Sequence, residues 1–161
     1  MINVALLGFG RIGQMHAENI NKNKDLRLLY VYEKVDQLSK KAKHLYNCKI
    51  QTNYNKIFSD KDVDIIFISS PTNTHIKFIE EGMKFKKTIF CEKPLDLNID
   101  KIIKTFKKVK KLRPKIQLGF NRRYDPGHFS IKRDLESNKI GKLEKITVSY
   151  THLTLPTTPY V

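Results

Sequence analysis

Along the first 120 residues, short apolar runs alternate with stretches whose apolar positions recur every three or four residues. Residues 2–7 form the first run; it stops at Gly8 and predicts a buried parallel strand. A helix is expected over 11–21, a strand over 26–32, a helix over 35–46 and a short strand over 49–52. Residues 63–69 (VDIIFIS) are rich in β-branched and aromatic side chains and predict a strand bounded by Pro71. A helix over 74–85 and a strand over 88–91 follow. The clearest helical signal is 99–112, with apolar residues at 99, 102, 103, 106, 109 and 112 and Asn98 as its N-cap. Lys101, Lys104, Lys107, Lys108, Lys110 and Lys111 fall mainly between those positions and predict a solvated face. Residues 115–120 close the series as a last strand. Repeated strand–helix units of this length predict an α/β domain over 1–120, a parallel sheet with helices on both faces.

After Gly119 the texture changes. Residues 121–126 are polar and turn-like, 127–138 predict a helix and 142–147 a strand, as the start of a second domain over 121–147. Residues 151–161 hold four Thr and two Pro but no Lys, Ile or Asn, which breaks the bias of everything before them. The stretch 148–157 (VSYTHLTLPT) resembles a translated transposon-end sequencing adapter. Native sequence is therefore expected to stop near Thr147, with 148–161 a non-native tail left out of fold and function reasoning.

Charge changes this picture little. The chain carries a formal +15, which would ordinarily point to nucleic acid. However, Lys supplies 25 of the 31 basic residues, and 18 Ile and 11 Asn stand against three Ala. That is the signature of A/T-rich codons, and the lysines are scattered, so no nucleic-acid partner is expected. Cys48 and Cys91 lie in no metal-ligand spacing; Cys91, within an apolar run, predicts a small buried thiol, and no metal is expected. No apolar run reaches the ~18 residues of a membrane span, and 2–9 lacks the basic lead of a signal peptide. The expectation is a cytoplasmic protein without a membrane partner.

Four segments carry candidate chemistry. The first is GFGRIG, Gly8–Phe9–Gly10–Arg11–Ile12–Gly13, between a predicted strand and a predicted helix. Gly8 permits the tight turn, Gly10 lets backbone approach a pyrophosphate, and Gly13 lets helix and strand pack closely. The helix N-terminus then presents amides and a positive dipole end to phosphate. Glu33 ends the second predicted strand, 20 residues beyond Gly13, where a carboxylate accepts ribose hydroxyls and repels a 2′-phosphate. The pair predicts a Rossmann-type dinucleotide site that prefers NAD; the alternative is a glycine turn serving packing alone. The second segment is SSPTNTH, with Ser70, Pro71, Thr72 and His75, at the ligand-bearing carboxyl end of the 63–69 strand. His75 reads equally as a group bonding near the cofactor or as the first-turn histidine of the next helix. The third is CEKP, where Glu92 and Lys93 leave a buried strand and Pro94 biases Lys93 toward extended backbone. Lys93 there could hydrogen-bond a reacting oxygen; an ordinary exposed pair is the alternative. The fourth is GFNRRYDP, whose Arg122 or Arg123 could bind a polar substrate, hold a second domain or form a boundary salt bridge.

Together and in this order, GFGRIG, SSPTNTH, CEKPLDLN and GFNRRYDP resemble the N-terminal pattern of the Gfo/Idh/MocA oxidoreductases, from Met1 to about Thr147. GFNRRYDP followed by IGKLEKI looks most like the inositol 2-dehydrogenase branch. The resemblance implies a Rossmann, doubly wound parallel sheet, then an α/β domain whose open sheet carries substrate contacts and an oligomer interface. It implies hydride transfer between a polyol or sugar carbon and NAD, with Lys93 catalytic, Glu92 by the nicotinamide and Arg122 near the substrate. The family's catalytic Asp and His, in a second-domain motif, have no counterpart here, and His152 in the suspect tail is not assigned that role. The full-length protein is thus expected to be a homo-oligomeric dehydrogenase and this chain an inactive N-terminal fragment. Competing readings are a relative acting on another sugar or carbonyl, a non-catalytic NAD(P)-binding module and a basic nucleic-acid binder.

Overall fold

A computed structural model describes residues 1–147. The expected tail 148–161, with His152, lies outside the described residues. The chain forms two compact units, Met1–Phe120 and one that begins at Asn121.

The first unit is built on six parallel strands, β1 (Ile2–Leu7), β2 (Leu26–Tyr32), β3 (Lys49–Gln51), β4 (Ile65–Ile68), β5 (Thr88–Cys91) and β6 (Ile116–Leu118). Their order is β3-β2-β1-β4-β5-β6, a doubly wound arrangement of the kind the family resemblance implies, and the strands are all parallel as the strand–helix alternation predicts. The helices are α1 (Arg11–Lys22), α2 (Asp36–Tyr46), α3 (Tyr54–Ser59), α4 (His75–Lys84) and α5 (Ile99–Leu112).

Period-two alternation in β1 divides the core. Val4 and Leu6 join Ala17 of α1, Ala42 of α2 and Val31 on one face. Ala5 and Leu7 join Ile57 and Phe58 of α3, Phe78 and Ile79 of α4, and Ile66, Ile68 and Ile89 on the other. Between Val4 and Ala5 the register with β2 shifts from Leu28 to Tyr30, leaving Leu29 as the extra residue of a bulge. Leu29 and Tyr30 consequently both serve the second face.

Three differences from the sequence expectations are informative. The helix α3 was not expected: six residues give no periodic signal, yet it is capped by Asn53 and places Ile57 and Phe58 fully in the core. The apolar stripe of α5 is only partly covered. Thr105 is buried and Ile102 and Val109 half-buried, while Ile99, Ile103, Phe106 and Leu112 remain exposed. The lysines of α5 are exposed, as expected. The strand expected over 142–147 is absent; Leu143 and Ile146 are exposed there, and an isolated strand has no ladder partner to satisfy its backbone. The second unit does form the expected helix, α6 (Pro126–Glu136), capped by Asp125 with proline in its first turn.

Among the described residues, no helix is long and apolar enough to cross a membrane, and no group of His, Cys, Asp and Glu is disposed to hold a metal ion. Both cysteines are free and buried.

Candidate nucleotide-binding and catalytic site

The carboxyl ends of β1, β2, β4 and β5 carry the first three predicted segments and Glu33, and the fourth segment follows β6. β1 ends at Gly8, whose φ of +95° favours glycine, and whose added Cβ would lie 2.7 Å from Ser70 backbone. A Cβ on Gly13 would sit 2.2 Å from the Gly8 carbonyl oxygen. Both glycines are therefore required by the polypeptide itself. Gly10 is different. It is the N-cap of α1 in extended backbone that any residue adopts, and a Cβ there would meet no protein atom within 4 Å. Only an external group lying against that turn would exclude a side chain, and the amides opening α1 have no side-chain cap and no acidic neighbour in the first turn. These residues fit a dinucleotide pyrophosphate. Arg11 and Ile12 are exposed beside them, but the Phe9 ring is fully buried and packs edge-on to Tyr46, so only its backbone belongs to the turn.

Glu33 lies just past β2 and is half-buried. Its Oε2 accepts the Phe9 amide (2.8 Å), and Oε1 accepts those of Lys34 (2.7 Å) and Val35 (2.9 Å). The carboxylate is thus tied to the glycine turn before any ligand is considered. Oε2, with a single amide, keeps acceptor capacity for a hydroxyl.

After β4, Ser69 donates through Oγ to the Gly8 carbonyl (2.9 Å), binding this loop to the glycine turn. Ser70 and Thr74 share a 2.6 Å hydroxyl contact, and Thr72 opens a 3-10 turn after Pro71. His75 is buried, with Nε2 2.8 Å from the Ser70 carbonyl oxygen and Nδ1 2.8 Å from that of Pro94. Both ring nitrogens are occupied by backbone. Of its two sequence readings, the geometry favours the first-turn residue of α4, acting as a tie between loops.

After β5, the Glu92 amide donates to Ile68 (2.9 Å), Oε1 faces His16 Nε2 (2.8 Å), and Oε2 accepts the Lys93 amide (3.2 Å). Lys93 is exposed and its peptide bond to Pro94 is cis. Burial, then the charge of Glu92, pushes the Cys91 thiol up to about 12, so the sulfur beside this turn is inert. Arg122 belongs to the second unit, where its ionic partner is Asp125 at 3.6 Å.

Two participants escaped the sequence reading. His16 occupies a buried-face position of α1, in register with Gly13, Ala17 and Ile20; a histidine on an otherwise small and apolar stripe was the available signal. Gly119 lies where a Cβ would be 3.1 Å from Glu92 Oε1, a requirement visible only in three dimensions. A separate cavity of about 370 Å³ lies at the opposite edge, before β5 and β6. Of its four cations, Lys86 and Arg113 follow the C-termini of α4 and α5, where the helix dipole favours them, and it contains none of the residues above.

A family model described as the oxidoreductase family, NAD-binding Rossmann fold, matches residues 2–120. The chain belongs to the Gfo/Idh/MocA oxidoreductases. It is 32% identical over 160 residues to an inositol 2-dehydrogenase of Rhizobium meliloti, covering 99% of this chain and 48% of that relative. A myo-inositol 2-dehydrogenase of Thermotoga maritima is 32% identical over 162 residues, with the same two coverages. The solved scyllo-inositol dehydrogenase of Lactobacillus casei with bound NAD(H) and scyllo-inositol superposes with a TM-score of 0.83 at 30% identity. That match spans 88% of this chain and 42% of the other. The chain thus spans about half the length of the curated relatives it matches.

Proposed function

We propose that this chain is the nucleotide-binding half of an NAD-dependent dehydrogenase acting on a polyol of the inositol class. One observation carries the reading. The glycine turn, the Glu33 carboxylate and the Glu92–Pro94 turn end at one carboxyl edge of a parallel sheet, where such folds bind ligands. Gly10 and the amides of α1 receive the pyrophosphate. Glu33 accepts a ribose hydroxyl on Oε2 and repels a 2′-phosphate, which favours NAD over NADP. When bound, the nicotinamide takes up or returns the hydride. Lys93 hydrogen-bonds the reacting hydroxyl oxygen through its ammonium and stabilises negative charge there as the proton leaves. Glu92 borders the nicotinamide and Arg122 the polyol, by the matching of CEKP and GFNRRYDP to the family pattern. His75 does not act as the base, because both ring nitrogens already face carbonyl oxygens.

The division of labour follows from coverage. With about half the length of its relatives, the 161-residue chain supplies the cofactor site, Lys93 and Arg122, and the rest of the substrate pocket is assigned in this reading to the remainder of a full-length protein. Calorimetric titration of the chain with both nucleotides tests the first claim: NAD should bind more tightly, and equal or tighter NADP binding would remove the role given to Glu33. Assay with NAD and a panel of inositols and sugars tests the second. No turnover is expected, and saturable cofactor reduction would overturn it.

A further inference from the structure

Lys93 leaves β5 on a turn that is neither helix nor strand, and its four-carbon stem is exposed. Such a residue holds a useful position only if its backbone is anchored. Both of its sequence neighbours are held by a histidine from a different helix. On the N-terminal side, His16 of α1 meets Glu92 Oε1 at 2.8 Å, while the other oxygen of that carboxylate accepts the Lys93 amide. On the C-terminal side, Nδ1 of His75, the first residue of α4, meets the Pro94 carbonyl oxygen at 2.8 Å.

The packing around each ring makes these contacts directional. His16 lies against Phe67 (4.6 Å between centroids) and Phe90 (5.5 Å), which stack on each other, so the imidazole has little freedom to turn. A carboxylate only accepts, so Nε2 of His16 carries the proton. Gly119 leaves the space that Glu92 Oε1 occupies. Ser70 and Pro94 both offer His75 a carbonyl oxygen, which only accepts, so the SSPTNTH loop and the CEKP turn share one buried ring whose neutral form donates to one of them at a time.

We propose that His16 and His75 are positioning residues that clamp the Glu92–Pro94 turn from both sides and so set where Lys93 presents its ammonium. The consequence for catalysis rests on the reading of Lys93 above; the clamp itself is independent of it. Nitrogen-15 spectra of the imidazoles in the 161-residue chain give the first test. His16 is expected as the Nε2–H tautomer, and a His16 with bare Nε2 overturns its half of the clamp.

Exchange of the Lys93 amide with water gives the second. His16→Phe keeps the aromatic packing and removes the donor; it should speed Lys93 exchange about tenfold, the scale of one charge-assisted hydrogen bond. The amides of Ile66 and Ile89, inside the sheet, should stay unchanged. His16→Gln, which restores a donor near Nε2, should recover most of the protection. His75→Phe should loosen the turn from the other side, with His75→Asn as partial rescue through an amide near Nδ1. Acceleration spread evenly over the sheet, or no rescue by Gln and Asn, would reduce both histidines to ordinary core residues. Lys93→Ala in a full-length protein separates the two claims. Full turnover there sinks the catalytic reading while the exchange data still judge the clamp; lost turnover with unaltered exchange in both Phe variants sinks the clamp alone.

Discussion

The unit Met1–Phe120 and the unit beginning at Asn121 follow the same local rules and reach opposite tertiary outcomes. Helix α5 opens on Asn98, which accepts the amides of Asp100 and Lys101; α6 opens on Asp125, which accepts that of His128. Both caps are legible and both helices form. Burial separates them. The first unit packs two apolar clusters against the two faces of its sheet, whereas α6 buries nothing and leaves Phe129 58% exposed. A cap and a proline suffice to write a helix, but a core needs a second layer facing it. α5 shows the same principle in miniature, since only one edge of its apolar stripe finds a partner.

Removal of one ring from each unit should separate the two most strongly. Phe58→Ala, at a fully buried position, should cost about 3–5 kcal/mol in urea unfolding. Phe129→Ala should change stability by less than about 0.5 kcal/mol. Similar losses at the two sites would mean that the second unit has a core of its own.

A smaller effect should divide the glycines within the first unit. Gly13→Ala forces a Cβ into the Gly8 carbonyl and should destabilise by about 1–3 kcal/mol. Gly10→Ala meets no protein atom and should leave the unfolding midpoint unchanged. Gly10→Val should nevertheless abolish NAD binding, because its branched side chain takes the place of the pyrophosphate. Intact binding in that variant would return Gly10 to a purely local role.

Smaller still is the pH response of α6. The side-chain bond from His128, then the His128 amide, holds the Asp125 carboxyl below the usual carboxylate range. Its stabilisation is therefore present above the unfolded value and is lost as pH falls through the lowered folded one. Helical circular dichroism should decline over that acidic interval, and Asp125→Ala should flatten the decline; an unchanged curve would show that the cap contributes nothing. The least visible expectation concerns the thiols. Cys91, pushed up to about 12, and Cys48, raised by burial, should resist alkylation at mildly alkaline pH in the folded chain. Both should react on unfolding, with mass spectrometry reading the difference; rapid native labelling of Cys91 would show that the first unit opens at β5.

Sequence alone determined the features that depend on near neighbours. Period two and period three-to-four patterns located ten of the first unit's eleven α-helices and strands, and α3 alone was missed because six residues hold no period. GFGRIG, Glu33 and CEKP declared themselves through fixed spacing from predicted strands, so the cofactor class was legible before any coordinates. Tertiary structure decided what those residues touch. Which glycines the backbone itself requires, how Glu33 is tied to the Phe9 amide and why His75 has no nitrogen to spare all depend on segments brought together by the parallel sheet. His16 and Glu92 stand 76 residues apart and meet only because β1 and β5 flank β4 in that sheet. Periodicity reports the geometry of one element, but a contact between elements depends on sheet order and register, which no local pattern of side chains encodes.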